Sequence, residues 1–140
     1  MHLKVKSSLK SGISSQRVFR VDRDSTIAFM GKDARVYATP ALIWHVETVC
    51  RDLLLSHLHG TEDSVGTRVE IDHLAPSFED SEISVEARLV KLSGREATFE
   101  ISAFDGSEKI CRGRHTRFIV DKAQFAARLQ KKRSIVSSGT

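Results

Sequence analysis

The strongest pattern in the chain is the run Ala41-Leu42-Ile43-Trp44-His45-Val46-Glu47-Thr48-Val49-Cys50-Arg51-Asp52-Leu53-Leu54-Leu55-Ser56-His57-Leu58. Wound as a helix, its apolar residues cover more than half the circumference, which predicts a helix buried on most sides. Thr39 is placed to cap its start by accepting an unpaired backbone N–H, and Pro40 suits the first turn, where a missing N–H costs nothing. Gly60 is placed to end it, with His57 and His59 near the negative end of the helix dipole. Before the helix, Gln16 to Asp22 reads as a strand, followed by a long connection from Arg23 to Ala38. Loops of that length are disproportionately functional.

After the helix the period changes from 3.6 to 2. Val69, Ile71 and His73 share one face of a strand, and Arg68, Glu70 and Asp72 the other. Ile83, Val85, Ala87 and Leu89 repeat the alternation, as do Ala97, Phe99, Ile101 and Ala103. Ser93-Gly94 marks a turn, and Asp105-Gly106 signals a hairpin of type I′. A last strand from about Lys109 to Val120 leads to Asp121, which caps a short amphipathic helix through Leu129. One buried helix followed by a meander of strands predicts an α+β domain whose antiparallel sheet covers the helix.

Length and composition narrow this further. A chain of 140 residues supports one full core, and 40% hydrophobic with 29% charged residues is a globular composition. The domain is expected over residues 16–133, with a mobile Ser-rich arm over 1–15 and a disordered tail over 134–140. No apolar run reaches the ~20 residues of a membrane span. The opening Met1-His2-Leu3-Lys4-Val5-Lys6 lacks the apolar stretch of a signal peptide, so a cytoplasmic location is expected. Cys50 and Cys111 have no neighbours at metal-ligand spacing, and no metal is expected.

The net charge of +4 is spread along the chain, apart from Arg112, Arg114 and Arg117 in one strand and Lys131-Lys132-Arg133 near the end. With one Trp and one Tyr there is little aromatic interleaving for stacking bases, so no nucleic-acid partner is expected. The local basic clusters are either a solvated face or a site for an anionic ligand.

Three polar residues stand where surface residues do not belong. Glu47 lies in the middle of the apolar helix, where a carboxylate points into a gap in the packing or pairs with a base such as Arg51. His73 lies on the apolar face of its strand and must find a partner there. Thr39 lies at the mouth of the helix, where a simple cap is the bland alternative. If the sheet wraps the helix, all three can converge near one end of it.

The segment Ala38-Thr39-Pro40-Ala41-Leu42-Ile43-Trp44-His45-Val46-Glu47 resembles the opening of the central helix in a branch of the hotdog-fold acyl-CoA thioesterases. Ser64-Val65-Gly66-Thr67-Arg68-Val69-Glu70-Ile71-Asp72-His73-Leu74-Ala75-Pro76 resembles that branch's next strand. Val85 to Arg95, Ala103-Phe104-Asp105-Gly106 and Gly113-Arg114-His115-Thr116-Arg117 continue the likeness in order, from about Val18 to Leu129. The branch is that of fluoroacetyl-CoA thioesterase, and the resemblance implies a hotdog fold and a Thr/Glu/His site at Thr39, Glu47 and His73. It implies that Glu47 acts as nucleophile or as general base toward water, that His73 manages protons, and that Thr39 orients Glu47. The Gly66 N–H would hold the thioester oxygen as charge develops on it. Arg112, Arg114 and Arg117 become candidate contacts for coenzyme A phosphates.

The connection before the helix is several residues shorter than the aromatic lid segment of that enzyme, so its selectivity for a fluorinated acyl group is not implied. The expected reaction is hydrolysis of an acyl-CoA or acyl-carrier thioester, with no cofactor beyond coenzyme A as part of the substrate. A non-catalytic acyl-CoA-binding module is the alternative; it would need the pocket but not Glu47. The expected assembly is a homodimer or tetramer, with Glu47 of one chain facing Gly66 or His73 of the other.

Overall fold

The computed structural model of the chain describes residues 5–138. Its five long strands are β1 (Ser14–Arg20), β4 (Glu62–His73), β5 (Glu82–Ser93), β6 (Glu96–Asp105) and β7 (Glu108–Asp121). They form one antiparallel sheet in the order β1-β5-β6-β7-β4. The connection before the helix holds a small ribbon of β2 (Thr26–Ile27) and β3 (Val36–Tyr37). Helix α1 (Thr39–Leu55) packs against the sheet, and α2 (Lys122–Ser137) follows β7.

The period-2 pattern builds the core as expected. Ile83, Val85, Ala87 and Leu89 of β5 and Ala97, Phe99, Ile101 and Ala103 of β6 are all buried. They meet Leu42, Val46, Val49, Cys50, Leu53 and Leu54, the helical face of α1 at spacings of three and four. Each buried Val, Leu, Ile or Phe among them stabilises the fold by about 1.5–3 kcal/mol relative to exposure. The buried arc of α1 is narrower than its apolar content suggested, because Trp44 stands 65% exposed on the far side.

Several boundaries move. The first strand starts two residues early, and residues 5–13 pack on the domain in place of the mobile arm expected there: Leu9 is buried and the Lys6 N–H donates to the His57 carbonyl. Thr39 does not cap α1; Ala38 occupies the cap position without a side-chain bond, and the helix ends at Leu55, before Gly60. Asp121 does cap α2, accepting the Gln124 N–H at 3.0 Å, but that helix runs on to Ser137, through much of the tail expected to be disordered. In both tight hairpins only the first central residue, Gly94 or Gly106, has positive φ, the pattern of a type II′ turn and not type I′.

Strand β4 is an edge of the sheet and carries a bulge between Gly66 and Arg68. Gly66 pairs with Arg117 and Val69 with His115, both inward-facing positions of β7. The bulge therefore leaves Ser64 and Gly66 on the same inner face as Val69, Ile71 and His73, although the first two have even numbers and the rest odd.

Candidate active site

Glu47 is held by the third turn of α1, half-buried, beside the inner face of β4. A Cβ added to Gly66 would lie 2.6 Å from Glu47 Oε1, so the carboxylate rests against bare backbone that no other residue could offer. Arg51, the base one turn on, instead gives two hydrogen bonds to Asp63, at 2.7 and 3.1 Å. Glu47 thus has no salt bridge or hydrogen bond among the described residues. It faces a pocket of about 480 Å³ lined by Trp44, Arg51, Ser64, Gly66 and Arg117.

Behind Gly66 lies a buried polar group that sequence reasoning missed. Arg117 Nε donates to Ser64 Oγ at 2.7 Å and Nη2 to the Ser64 carbonyl at 2.9 Å. Its Nη1 lies 3.1 Å from His115 Nε2, while His115 Nδ1 lies 2.8 Å from the Arg68 carbonyl. A carbonyl only accepts and a guanidinium only donates, so His115 carries its proton on Nδ1 and is neutral. Burial, which lowers the His115 pKa, works in the same direction. Burial also pulls the Arg117 guanidinium below its ordinary value, and the nearby Glu47 carboxylate acts the other way. The signal for this group was available: His115 and Arg117 sit on the buried alternation of β7 with Cys111 and Ile119.

That alternation splits the three arginines proposed to hold phosphates. Arg117, 4% exposed, points inward and is spent on Ser64 and His115, which removes it from a solvent-facing phosphate role. Arg112 and Arg114 point outward. Arg112 Nε lies 3.3 Å from Asp72, and Arg114 sits in register between Glu70 and Glu100, so carboxylates already accompany both charges. The depression of about 720 Å³ beside Arg114 is lined by Arg68, Glu70, Lys91 and Glu96, charges of both signs.

Thr39 and His73 meet elsewhere. Thr39 Oγ1 lies 2.8 Å from His73 Nδ1, so the threonine orients the histidine and not Glu47. His73 Nε2 is buried without a hydrogen-bond partner among the described residues, and burial lowers the His73 pKa. Tyr37 stands edge-on to His73, with ring centroids 6.2 Å apart, and its hydroxyl bonds His45 Nδ1. His45 stacks in turn on Phe19. Thr39 and His73 border an open, mostly apolar depression of about 310 Å³ with Ile27, Val36, Tyr37 and Leu74. Eight helical residues, about 12 Å of rise, separate Thr39 from Glu47, so the three side chains do not converge within one chain. The Glu47 to Gly66 contact is likewise made within one chain, not between two as expected.

Among the described residues no group of three His, Cys, Asp or Glu side chains could hold a metal ion, and no helix is long and apolar enough to cross a membrane.

Residues 21–123 match the family of the fluoroacetyl-CoA-specific thioesterase. The chain is 29% identical over 97 residues to the fluoroacetyl-CoA thioesterase of Streptantibioticus cattleyicolor, spanning 69% of this chain and 70% of that one. A thioesterase-superfamily protein of Thermus thermophilus superposes with a TM-score of 0.86 at 25% identity, covering 94% of this chain and 98% of its own. A single-residue variant of the fluoroacetyl-CoA-specific thioesterase gives 0.83 at 25% identity, over 91% and 99%. A hot-dog-like protein of Thermanaerovibrio acidaminovorans, at 20% identity and a TM-score of 0.80, shares the fold. The long central helix against a five-stranded antiparallel sheet, and a family match across most of the domain, agree: the chain belongs to the fluoroacetyl-CoA-specific thioesterase family and is a hotdog-fold thioester hydrolase.

Proposed function

We propose that the protein hydrolyses an acyl-CoA thioester at a site completed by two copies of the chain, Glu47 and Gly66 from one and Thr39 and His73 from the other. The observation that carries this reading is the Glu47 carboxylate, without a salt bridge or hydrogen bond among the described residues and laid against the bare backbone of Gly66 at the edge of the sheet. A carbonyl bound there meets an oxyanion donor, the Gly66 N–H, and a basic oxygen together. Glu47 takes the proton of a water that attacks the carbonyl carbon, or attacks that carbon itself and is then hydrolysed. The carbon–sulfur bond breaks, and the thiolate leaves as coenzyme A with a proton passed through His73.

Support for the two-chain site comes from β4. Its edge is open and residues 66–70 are exposed. Antiparallel pairing of β4 with its symmetry mate about Glu70 sets Val69 opposite Ile71 of the mate, same face to same face. One step past the bulge at Thr67, Gly66 then lies opposite the mate's His73. Such pairing also covers an edge that would otherwise template aggregation. The Thr39 to His73 hydrogen bond brings the fourth residue along.

Complementation tests this reading. Glu47→Gln alone and His73→Ala alone should each lose roughly 10²-fold or more in turnover, the scale of a lost acid–base group. Mixed after dissociation and reassembly, half the dimers carry one intact site, so about a quarter of native activity should return. No recovery on mixing, from variants that do form mixed dimers, would refute the shared site. Full activity of Glu47→Gln with unchanged acyl-CoA affinity would replace hydrolysis at this site with the binding-module reading.

A further inference from the structure

The outer face of the sheet beside α2 holds a groove that neither the family match nor the catalytic residues explain. Its walls are Val65 of β4, Phe118 and Val120 of β7, and one stripe of α2. That stripe is Phe125, Arg128, Leu129 and Lys132, spaced i, i+3, i+4, i+7, so two apolar and two basic side chains alternate along the side turned to the sheet. The volume of the groove is about 420 Å³. Phe125 and Leu129 remain 39% and 46% exposed although they face the strands, which leaves the groove open along its length.

The charge is one-sided. Across Lys122–Ser137 the sequence KAQFAARLQKKRSIVS carries five basic residues and no acidic one. Arg128 and Lys132 have no salt bridge among the described residues. Arg112 and Arg114, by contrast, stand among carboxylates. An anion entering this groove therefore meets positive charge directly beside apolar surface. A ligand with a flat ring and several phosphates matches that combination, since the ring can lie on aromatic and aliphatic surface while the phosphates meet a guanidinium and an ammonium.

The groove is also continuous with the candidate active site. Val65 lines both it and the pocket that holds Glu47, so the two are separated only by the edge of β4. In the pairing of β4 described above, the mate's strand ends at its own His73, opposite Gly66, so strand pairing does not extend to Val65.

We infer that this groove binds the nucleotide end of coenzyme A, with Arg128 and Lys132 holding its phosphates. The pantetheine arm then passes around the β4 edge at Val65 to place the thioester at Glu47. The inference rests on the acyl-CoA reading above and deepens it by moving the phosphate site from Arg112, Arg114 and Arg117 to α2.

The test compares substrates with and without phosphates in the full-length protein. Arg128→Ala with Lys132→Ala removes two exposed side chains. Calorimetry follows coenzyme A binding, and turnover is followed with hexanoyl-CoA and with S-hexanoyl pantetheine, which has the same thioester and no phosphate. The double variant should weaken coenzyme A at least tenfold and raise KM for hexanoyl-CoA with kcat unchanged. Its KM should also depend less on salt, and its kinetics with the pantetheine thioester should match the native protein's. Lys131→Ala with Arg133→Ala, which removes equal charge outside the groove, should change little. Unchanged coenzyme A affinity, an equal loss with pantetheine, or an equal loss in the Lys131/Arg133 control would each overturn the inference. So would a native protein that binds no coenzyme A, or one that prefers acyl-carrier thioesters irrespective of Arg128 and Lys132. A native protein that binds coenzyme A through this groove but hydrolyses no thioester would sink the catalytic reading and leave the groove standing.

Discussion

Replacing Gly66 with alanine isolates the contact on which the proposed chemistry turns. Gly66 is not among the glycines with positive φ, so alanine meets no backbone strain and the whole effect is steric. The new Cβ would lie 2.6 Å from Glu47 Oε1 and 3.2 Å from His115 Cε1. The His115 ring is fixed by bonds at both nitrogens, whereas the Glu47 carboxylate is the free end of a flexible side chain. Glu47 therefore yields, retreating by a little under ~1 Å to reach van der Waals separation. A displacement of that size at a reacting group is worth roughly 10²-fold in rate. Overpacking against His115 should cost about 1–3 kcal/mol, so the protein stays folded with a lower Tm. The assay is kcat/KM for an acyl-CoA that the native protein turns over, beside thermal unfolding followed by circular dichroism. A folded Gly66→Ala variant that hydrolyses at the native rate would refute the argument, because it would place the reacting carbonyl away from Gly66 and Glu47.

Two further outcomes follow from the same geometry. Burial lowers the pKa of His73, His45 and His115, so as the pH falls below the ordinary histidine value of about 6.5 the unfolded chain takes up protons before the folded one. Their contribution to stability is complete above that value and is lost as the pH falls toward the lowered ones. Tm should drop between pH 7 and pH 5, and a Tm that rises over that interval would contradict it. Gly113→Ala would set a Cβ 2.0 Å from the Glu70 carbonyl and 2.7 Å from Ile71 Cα, backbone on both counts. Nothing there can rotate aside, so β4 must separate from β7; loss of soluble folded protein is expected, and a native-like Tm would count against it.

The parts of the fold carried by periodicity were legible in the sequence. The buried helix and the alternation of Ile83 to Leu89 and Ala97 to Ala103 need only local spacing to be read, and they lie where that spacing put them. Roles that depend on a partner distant in the chain were not legible. Thr39 has the chemistry of a cap, and only the return of β4 brings His73 within 2.8 Å of it. Arg117 neighbours Arg112 and Arg114 in sequence, but period 2 puts it on the opposite face from both. His115 shares that inward face, and in sequence a lone histidine among apolar residues looks the same whether or not a guanidinium awaits it. The groove beside α2 was hidden for another reason: the helix was expected to stop at Leu129, three residues short of Lys132.

The single residue that decides the layout of the site is Thr67, the bulge. In an unbroken strand Gly66 and His73, seven positions apart, would face opposite sides of the sheet, and no pairing of strands could bring both to one pocket. The extra residue restores parity, so both face α1. It does not bring them together, because six or seven residues of extended chain still span about 20 Å. Helix α1 reaches both ends of that span, touching His73 through Thr39 at its first turn and Gly66 through Glu47 two turns later. One chain thus holds the Thr39–His73 pair at one end of β4 and Glu47 against Gly66 at the other, the two half-sites of the proposed reaction. A rotation of 180° about the middle of β4 exchanges those ends, and it is the only simple operation that sets each half beside its complement. On the proposed two-chain reading, the open edge of β4 and the division of the candidate residues share one explanation, and a two-fold axis would supply two sites per pair of chains.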